Sequence, residues 1–213
     1  MILCDREIRA ALARNAIRIT PDPTADASLW SSTAVDFRLS DHLSRWDFSP
    51  PGAPTCFSPA ERDHDLLDLV ARFAQTQIIP EMGLRLEPAS FYLGWTLQAV
   101  QLPHRSRIAA RVEGKSSLAR LGLGIHVTAP TIHAGFGYND RNPEWVGNPI
   151  QLEIWNTGPL PIVLKRGMKI CQLIFEWVDG TPEQGYGGQF MGQGPESLPS
   201  PPTTPKPRKR RGR

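Results

Sequence analysis

The sequence predicts a mainly β protein built as a sandwich or barrel, and three observations carry this prediction. From residue 80 onward, short segments rich in β-branched and aromatic residues follow one another, each bounded by Gly, Pro or Asn. No helical pattern separates these segments, which favours a sandwich or barrel. The chain also contains 21 prolines and 18 glycines, a composition that suits many turns.

The first part of the chain contains the few elements that we expect to be helical. Residues 5–16 predict a short amphipathic helix with Asp5 as its N-cap. Residues 32–40 alternate apolar and polar side chains, which predicts a half-buried strand. Ser58, Pro59 and Glu61 then mark the start of a second helix as its N-cap, first and third residues. The residues expected to be buried in these elements are Ile8, Ala11, Leu12, Val35, Phe37, Leu39, Leu66, Leu67, Val70 and Phe73.

Six later segments predict strands, and the remainder predicts one domain with a tail. The segments are ASFYLGWTLQAVQLP, SRIAARVEG, GLGIHVTAP, NPIQLEIWNTG, LPIVLKRG and MKICQLIFEWV. The last is a nearly continuous apolar run, which is typical of a strand covered on both faces. The length of 213 residues favours one domain, 1–195, followed by a Pro-rich basic tail, 196–213, that we expect to be disordered.

The net charge of +3 belongs to this tail, because its last eight residues, KPRKRRGR, contain six basic groups. Without them, 18 basic and 21 acidic residues remain, a net charge of −3. A nucleic-acid surface is therefore not expected on the folded body. The tail is short and rich in proline, which favours a solubilising end over a weak nucleic-acid contact.

The sequence also predicts a cytoplasmic protein without membrane contact. No apolar run is long enough to span a bilayer, and MILCDREIRAALARN has charges where a signal peptide needs its apolar stretch. Cys4, Cys56 and Cys171 are widely spaced, as expected of reduced thiols rather than a disulfide framework.

Three common chemistries lack their motifs in this sequence. A zinc nucleobase deaminase needs His-x-Glu and Cys-x-x-Cys to hold the metal and its acid/base, and neither occurs. The Gly-Lys-Ser/Thr ending of a P-loop and the Gly-x-Ser-x-Gly elbow of a hydrolase are also missing.

Two polar segments are candidates for a functional site. In PIQLEIWN, Gln151 and Glu153 lie on the strand face opposite Leu152. The residues alone favour an exposed face. The alternative is a general base in a cleft, with Arg120 or Lys115 as its positive partner.

The second segment, GKSSLAR, reads either as a loop tip or as an anion site of hydroxyls, amides and cations. His126 and His133 are expected to be structural residues rather than metal ligands, because no carboxylate cluster accompanies them.

Taken together, these motifs resemble a known family. GKSSLARLGLGIHVTAPTI followed by QLEIWNTGPLPIVLKRGMKICQLIFE resembles the dCTP deaminase branch of the dUTPase superfamily. MILCDREI, TAVDFRLS and PESLPS resemble its terminal signatures. The resemblance implies a dUTPase-like (β-clip) distorted barrel or jelly-roll-like sandwich with a few short helices. It also implies a homotrimer with active sites between subunits.

The reaction implied by the resemblance is hydrolysis of dCTP to dUTP and ammonia. No metal takes part in the deamination, and Mg²⁺ is bound with the triphosphate. Glu153 matches the catalytic glutamate, and Ser116 and Arg120 match residues that frame it. The positions matched to substrate contacts are Lys115, Ser117, Leu118, Ala119, His133, Gln151, Leu152, Tyr186, Gln189 and Gln193.

Three departures from the family pattern bear on substrate and product. His133 stands where many relatives have the aspartate that dUTPases use to activate water, which argues against dUTP hydrolysis. Gln189 stands where a phosphate-binding lysine is common, and residues 137–149 carry an insertion. Two alternatives therefore stay open: a dUTP diphosphatase-like enzyme, and a catalytically weak nucleotide-binding regulatory protein of the same fold.

Overall fold

The computed structural model describes residues 1–58, 66–125, 129–142 and 144–186, and within these ranges strands outnumber helices. The helices are α1 (Asp5–Ala13), α2 (Leu66–Phe73) and α3 (Ser116–Ala119), with 3₁₀ turns at Pro23–Ala25, Ala27–Leu29 and His104–Ser106. The strands are β1 (Arg18–Thr20), β2 (Val35–Trp46), β3 (Ala74–Ile78), β4 (Leu84–Leu86), β5 (Phe91–Gln101), β6 (Ile108–Gly114), β7 (Leu123–Ile125), β8 (Thr131–Ile132), β9 (Asn148–Asn156), β10 (Ile162–Leu164) and β11 (Lys169–Trp177).

Nine strands form one antiparallel sheet in the order β7-β9-β5-β2-β11-β6-β8, with β1 added to β5 and β3 added to β2. Strands β4 and β10 form a separate pair. Although β6 and β7 lie near opposite ends of the large sheet, they are in contact, so the sheet curls into a distorted half-barrel. The predicted mainly β fold is confirmed.

The core lies on the concave side of this sheet, because alternate residues of each strand point inward. Phe37 of β2 and Phe175 of β11 are fully buried, and Ile150, Leu152 and Ile154 of β9 follow the alternation predicted for that strand. The residues between them on β9 stay half-buried, which leaves a second, partly polar face available for a site.

Four details differ from the sequence-based expectation or lie beyond it. Helix α1 differs at both ends: its N-cap is Cys4 rather than Asp5, and it ends at Ala13 rather than at residue 16. The backbone amide of Cys4 donates to the Glu7 carboxylate at 3.1 Å. Strand β11 is not covered on both faces, because Ile174 is half-buried while its neighbours on the other face are buried. Leu12 is only partly buried against the core. The predicted start of α2 at Pro59 lies outside the described residues.

All three cysteines are free, as predicted, although they occupy different environments. Cys56 is exposed and Cys4 is half-buried, whereas Cys171 lies in the core. Burial raises the pKa of the Cys171 thiol above its usual range, which keeps this thiol protonated and unreactive.

Candidate active site

Glu153 lies in the middle of β9, on the half-buried face of that strand. Strand β9 pairs with β5 so that Glu153 stands opposite Leu93 and Gln151 stands opposite Trp95. Two long paired strands therefore hold the carboxylate and the neighbouring amide in a fixed register, because side chains of paired residues project to the same side.

These side chains face a space of about 470 Å³ that we call the Glu153 cavity. Most of its lining is apolar, so charges inside it interact more strongly than they do in bulk water. The lining residues include Trp46, Val70, Phe91, Leu93, Trp95, Phe136 and Pro149, with Glu153, Gln151, Thr131, His133 and Tyr186 as the main polar members.

Two aromatic contacts close one side of the Glu153 cavity. The His133 imidazole stacks on the Tyr186 ring with centroids 5.6 Å apart and planes 13° apart, and Phe136 lies 6.1 Å from the same tyrosine. Gly135, between the two, has φ +101°, and a Cβ there would lie 2.2 Å from the backbone nitrogen of Tyr186. Only glycine therefore lets the C-terminal segment approach this turn so closely.

The serine-arginine segment forms a single helical turn, α3, rather than an irregular loop tip. Ser116, Ser117 and Arg120 are exposed on it, and Leu118 packs partly against the core. The turn overlies a second space of about 440 Å³, the serine cavity. Its lining residues are Glu113, Gly114, Lys115, Ser116, Ser117, Ala119, Leu123, Gly124, Ile125 and Gln172.

Lys115, at the N-cap of α3, is held by a carboxylate that the sequence motifs do not single out. Its ammonium lies 2.5 Å from Asp36 Oδ1, and the Lys169 ammonium lies 3.5 Å from Asp36 Oδ2. The alternation in AVDFRLS places Asp36 on the face opposite Phe37. A partner 79 residues away is nevertheless invisible in a strand pattern.

The two cavities have no lining residue in common. Within one chain, the Glu153 cavity therefore brings together Glu153, Gln151, His133 and Tyr186. The residues of α3 lie at the serine cavity instead. Leu152 has a fully buried side chain, so only its backbone is available for a ligand contact. His126, Gln189 and Gln193 lie outside the described residues.

A family model described as dCTP deaminase-like matches residues 2–178, most of the chain. The chain belongs to this family. The resemblance inferred from the serine-arginine and Leu-Glu motifs is therefore confirmed.

Individual members of the dCTP deaminase-like family agree with this assignment. The chain is 36% identical over 194 residues to a dCTP deaminase of Rhodospirillum rubrum, covering 87% of each protein. It is 33% identical over 201 residues to a dUMP-forming dCTP deaminase of Methanosphaera stadtmanae, covering 92% of this chain and 91% of that protein.

Among solved structures, a 2′-deoxycytidine 5′-triphosphate deaminase from Agrobacterium tumefaciens matches with a TM-score of 0.58 at 24% identity. The match covers 82% of this chain but only 47% of that one, so this chain spans about half the length of the solved protein. This likeness bears on the fold, and it agrees with the curled sheet seen here.

The described residues of the insertion at 137–149 are hydrogen-bonded to one another and to β5, and they lie mostly outside the Glu153 cavity. The Trp145 indole donates to the carbonyl of Gly137 at 2.9 Å, and the Gln101 amide donates to the carbonyl of Trp145. A Cβ at Gly137 would lie 2.0 Å from the carbonyl oxygen of Val100. Of the described residues in the insertion, only Pro149 lines the cavity.

The described part of the chain has no group of three or more His, Cys, Asp or Glu arranged to hold a metal ion. Among the residues that the structure covers, none of the helices combines the length and the apolar character that crossing a bilayer requires.

Proposed function

We propose that the protein is a dCTP deaminase that converts dCTP and water to dUTP and ammonia in the cytoplasm. The observation that carries this proposal is the half-buried Glu153 carboxylate on β9, beside Gln151 in a largely apolar cavity. The name of the Rhodospirillum rubrum relative, dCTP deaminase, supports this reaction, and the name of the Methanosphaera stadtmanae relative supports dCTP as the substrate.

In the proposed mechanism, Glu153 is both general base and general acid. Its carboxylate removes a proton from a water molecule as the oxygen attacks C4 of the cytosine ring. The protonated carboxyl gives this proton to the ring nitrogen N3. The carboxylate then takes the proton of the new C4 hydroxyl and passes it to the leaving amine. The C4 carbonyl forms as the C4–N bond breaks, and ammonia departs. The apolar walls of the cavity strengthen the carboxylate's interaction with the reacting groups. The backbone at Gln151 and Leu152 contacts the base.

A second subunit completes the proposed site. Because Glu153 and the α3 turn face different cavities, a site that uses both needs the α3 turn of a neighbouring copy. In the proposed homotrimer, Ser116 and Arg120 of one subunit position water and Glu153 of the next, as closed symmetric assemblies allow. Lys115 and Ser117 bind the phosphates, and Mg²⁺ enters with the triphosphate as part of the substrate.

His133 is the reason for naming dUTP rather than dUMP as the product. A carboxylate able to activate water for attack on the phosphates is replaced by an imidazole, and that ring is stacked on Tyr186. One of the relatives above is nevertheless named dUMP-forming, so the second hydrolysis is the competing outcome.

A product analysis tests the proposal. The protein is incubated with Mg²⁺ and dCTP, dCMP or dUTP, and nucleotides, ammonia and pyrophosphate are measured separately. We expect dUTP and ammonia in equal amounts from dCTP and no pyrophosphate. Pyrophosphate with dUMP would support the dUMP-forming reaction instead. Nucleotide binding without product would support the regulatory alternative.

A further inference from the structure

Three neighbouring strands set a row of polar side chains beside the serine cavity. Asp36 of β2 pairs with Gln172 of β11, and Gln172 pairs with Glu113 of β6. Paired residues project to the same face of a sheet, so the three side chains form one row. Gln172 and Glu113 line the cavity, and Asp36 continues the row one strand beyond.

Asp36 binds two cations at once. Its two oxygens lie 2.5 Å from the Lys115 ammonium and 3.5 Å from the Lys169 ammonium. The Lys169 ammonium also donates to the carbonyl of Ser28, which anchors it on the far side of the carboxylate. Only 12% of the Asp36 side chain and 23% of the Lys115 side chain are exposed, so water screens their ion pair less than a surface pair.

We propose that Asp36 is a positioning residue that holds the Lys115 ammonium at the serine cavity for the triphosphate of the substrate. This inference rests on the proposed function, because it assigns the phosphates to that cavity. Lysine has a flexible stem with four carbons and loses much rotamer freedom when it is fixed. A carboxylate already in place reduces the freedom that remains to be lost when the phosphates bind.

The charges alternate along this contact: phosphate, Lys115, Asp36, Lys169. Removing the carboxylate leaves the Lys115 and Lys169 ammonium groups without the anion that contacts both of them, and like charges repel. Lys115 then turns towards solvent, although the net charge near the cavity has become more positive. If only the added positive charge mattered, a variant without the Asp36 carboxylate would bind anions more tightly. If the carboxylate positions Lys115, the same variant should bind them more weakly.

Calorimetric titration of the full chain with inorganic triphosphate and Mg²⁺ distinguishes the effect of added charge from the loss of positioning. We expect Asp36→Asn to weaken binding about tenfold, as loss of a positioned charge-assisted contact does. In a double-mutant cycle, Lys115→Met should weaken binding by itself, and adding Asp36→Asn to it should have no further effect. Tighter binding by Asp36→Asn, unchanged binding, or additive losses in the double variant would each overturn the proposal.

Further variants separate positioning from folding. Asp36→Ser is a second carboxylate-free variant should the Asn side chain prevent folding, and it should show the same loss. Asp36→Glu keeps the charge and should restore binding to within about threefold of the unmodified chain. Glu87→Gln removes an ion pair with Arg85, at 2.5 Å and outside both cavities, and should leave binding unchanged.

Kinetics with dCTP keep this inference separate from the proposed function. Asp36→Asn should raise KM about tenfold and change kcat less than about threefold, because the residue acts on phosphate binding rather than on the base. If the unmodified chain binds triphosphate but releases no ammonia from dCTP, the proposed function fails and the positioning role stands. If it deaminates dCTP but Asp36→Asn leaves KM unchanged, or if it binds no triphosphate, the positioning role is wrong.

Discussion

At the scale of single residues, the proposed mechanism depends on Glu153. Glu153→Gln keeps the size of the side chain but removes its capacity to accept a proton. We expect kcat for ammonia release to fall by about 100- to 10,000-fold, the contribution usual for general acid–base catalysis. Dissociation constants for dCTP, measured by calorimetry, should change little.

The control for this substitution is Glu87→Gln, which removes an exposed carboxylate that pairs with Arg85 at 2.5 Å. Its kcat should equal that of the unmodified chain. Full deamination by Glu153→Gln would refute the assignment of Glu153 as the base.

Gly135 provides a second test at this scale, because two separate penalties oppose any side chain there. Gly135→Ala forces a left-handed residue and also drives a Cβ against the Tyr186 backbone. We expect a loss of about 2–5 kcal/mol in the free energy of unfolding in urea, together with weaker dCTP binding.

Gly52 is a matched control, since its φ is +82° and a Cβ placed there would have no other atom within 4 Å. Gly52→Ala should lower the free energy of unfolding only by the cost of a left-handed backbone, about 1–2 kcal/mol, and should keep dCTP binding. Equal losses in the two variants would mean that the approach of Tyr186 to Gly135 contributes nothing.

At the scale of secondary-structure elements, the alternation along β9 sets what each position tolerates. Leu152 is fully buried, so Leu152→Ala should reduce the free energy of unfolding by about 2–5 kcal/mol. Leu160→Ala removes the same atoms from a side chain that is 71% exposed and should lower it by under about 1 kcal/mol. Urea unfolding of both variants measures the difference, and similar losses would contradict the register of β9.

Local patterns predict most elements because period-two alternation and turn residues act over a few positions. Val35, Phe37 and Leu39 are buried as their alternation requires. The cap of α1 differs from its prediction by one residue, because Asp5 has the usual capping chemistry whereas Cys4 caps through its backbone contact with Glu7. The prediction that β11 is covered on both faces is wrong, because an apolar run does not reveal which face of the strand the fold leaves half-buried.

A site residue can be predicted from the sequence only to the extent that its contacts are with residues close to it in the chain. The motifs around Glu153 and Ser116 identify both segments, but they do not reveal that the two face separate cavities. The contact between Asp36 and Lys115 depends on strand order, with β11 lying between β2 and β6. No window of sequence contains that order.

At the scale of the whole molecule, the proposed sharing of each site between two subunits predicts complementation. Glu153→Gln and Arg120→Ala should each inactivate the protein by damaging opposite halves of every site. When the two variants are unfolded together and reassembled in equal amounts, about a quarter of the interfaces should combine two intact halves. Ammonia release should recover to about that fraction of the unmodified rate.

A mixture of Ser116→Ala and Arg120→Ala is the control, because both changes lie on the same half and no interface can then be intact. Its activity should not exceed that of either variant alone. Failure of the first mixture to recover, with assembly verified by size, would show that each subunit contains a complete site.

The separation of the Glu153 cavity from the serine cavity also has a consequence for newly made protein. On the proposed assignment, an isolated subunit carries two unfinished halves and turns over no nucleotide, however well it is folded. Dilution below the dissociation constant of the oligomer should therefore abolish deamination without unfolding the subunits. Halving gene dosage near that threshold would reduce dUTP output by more than half.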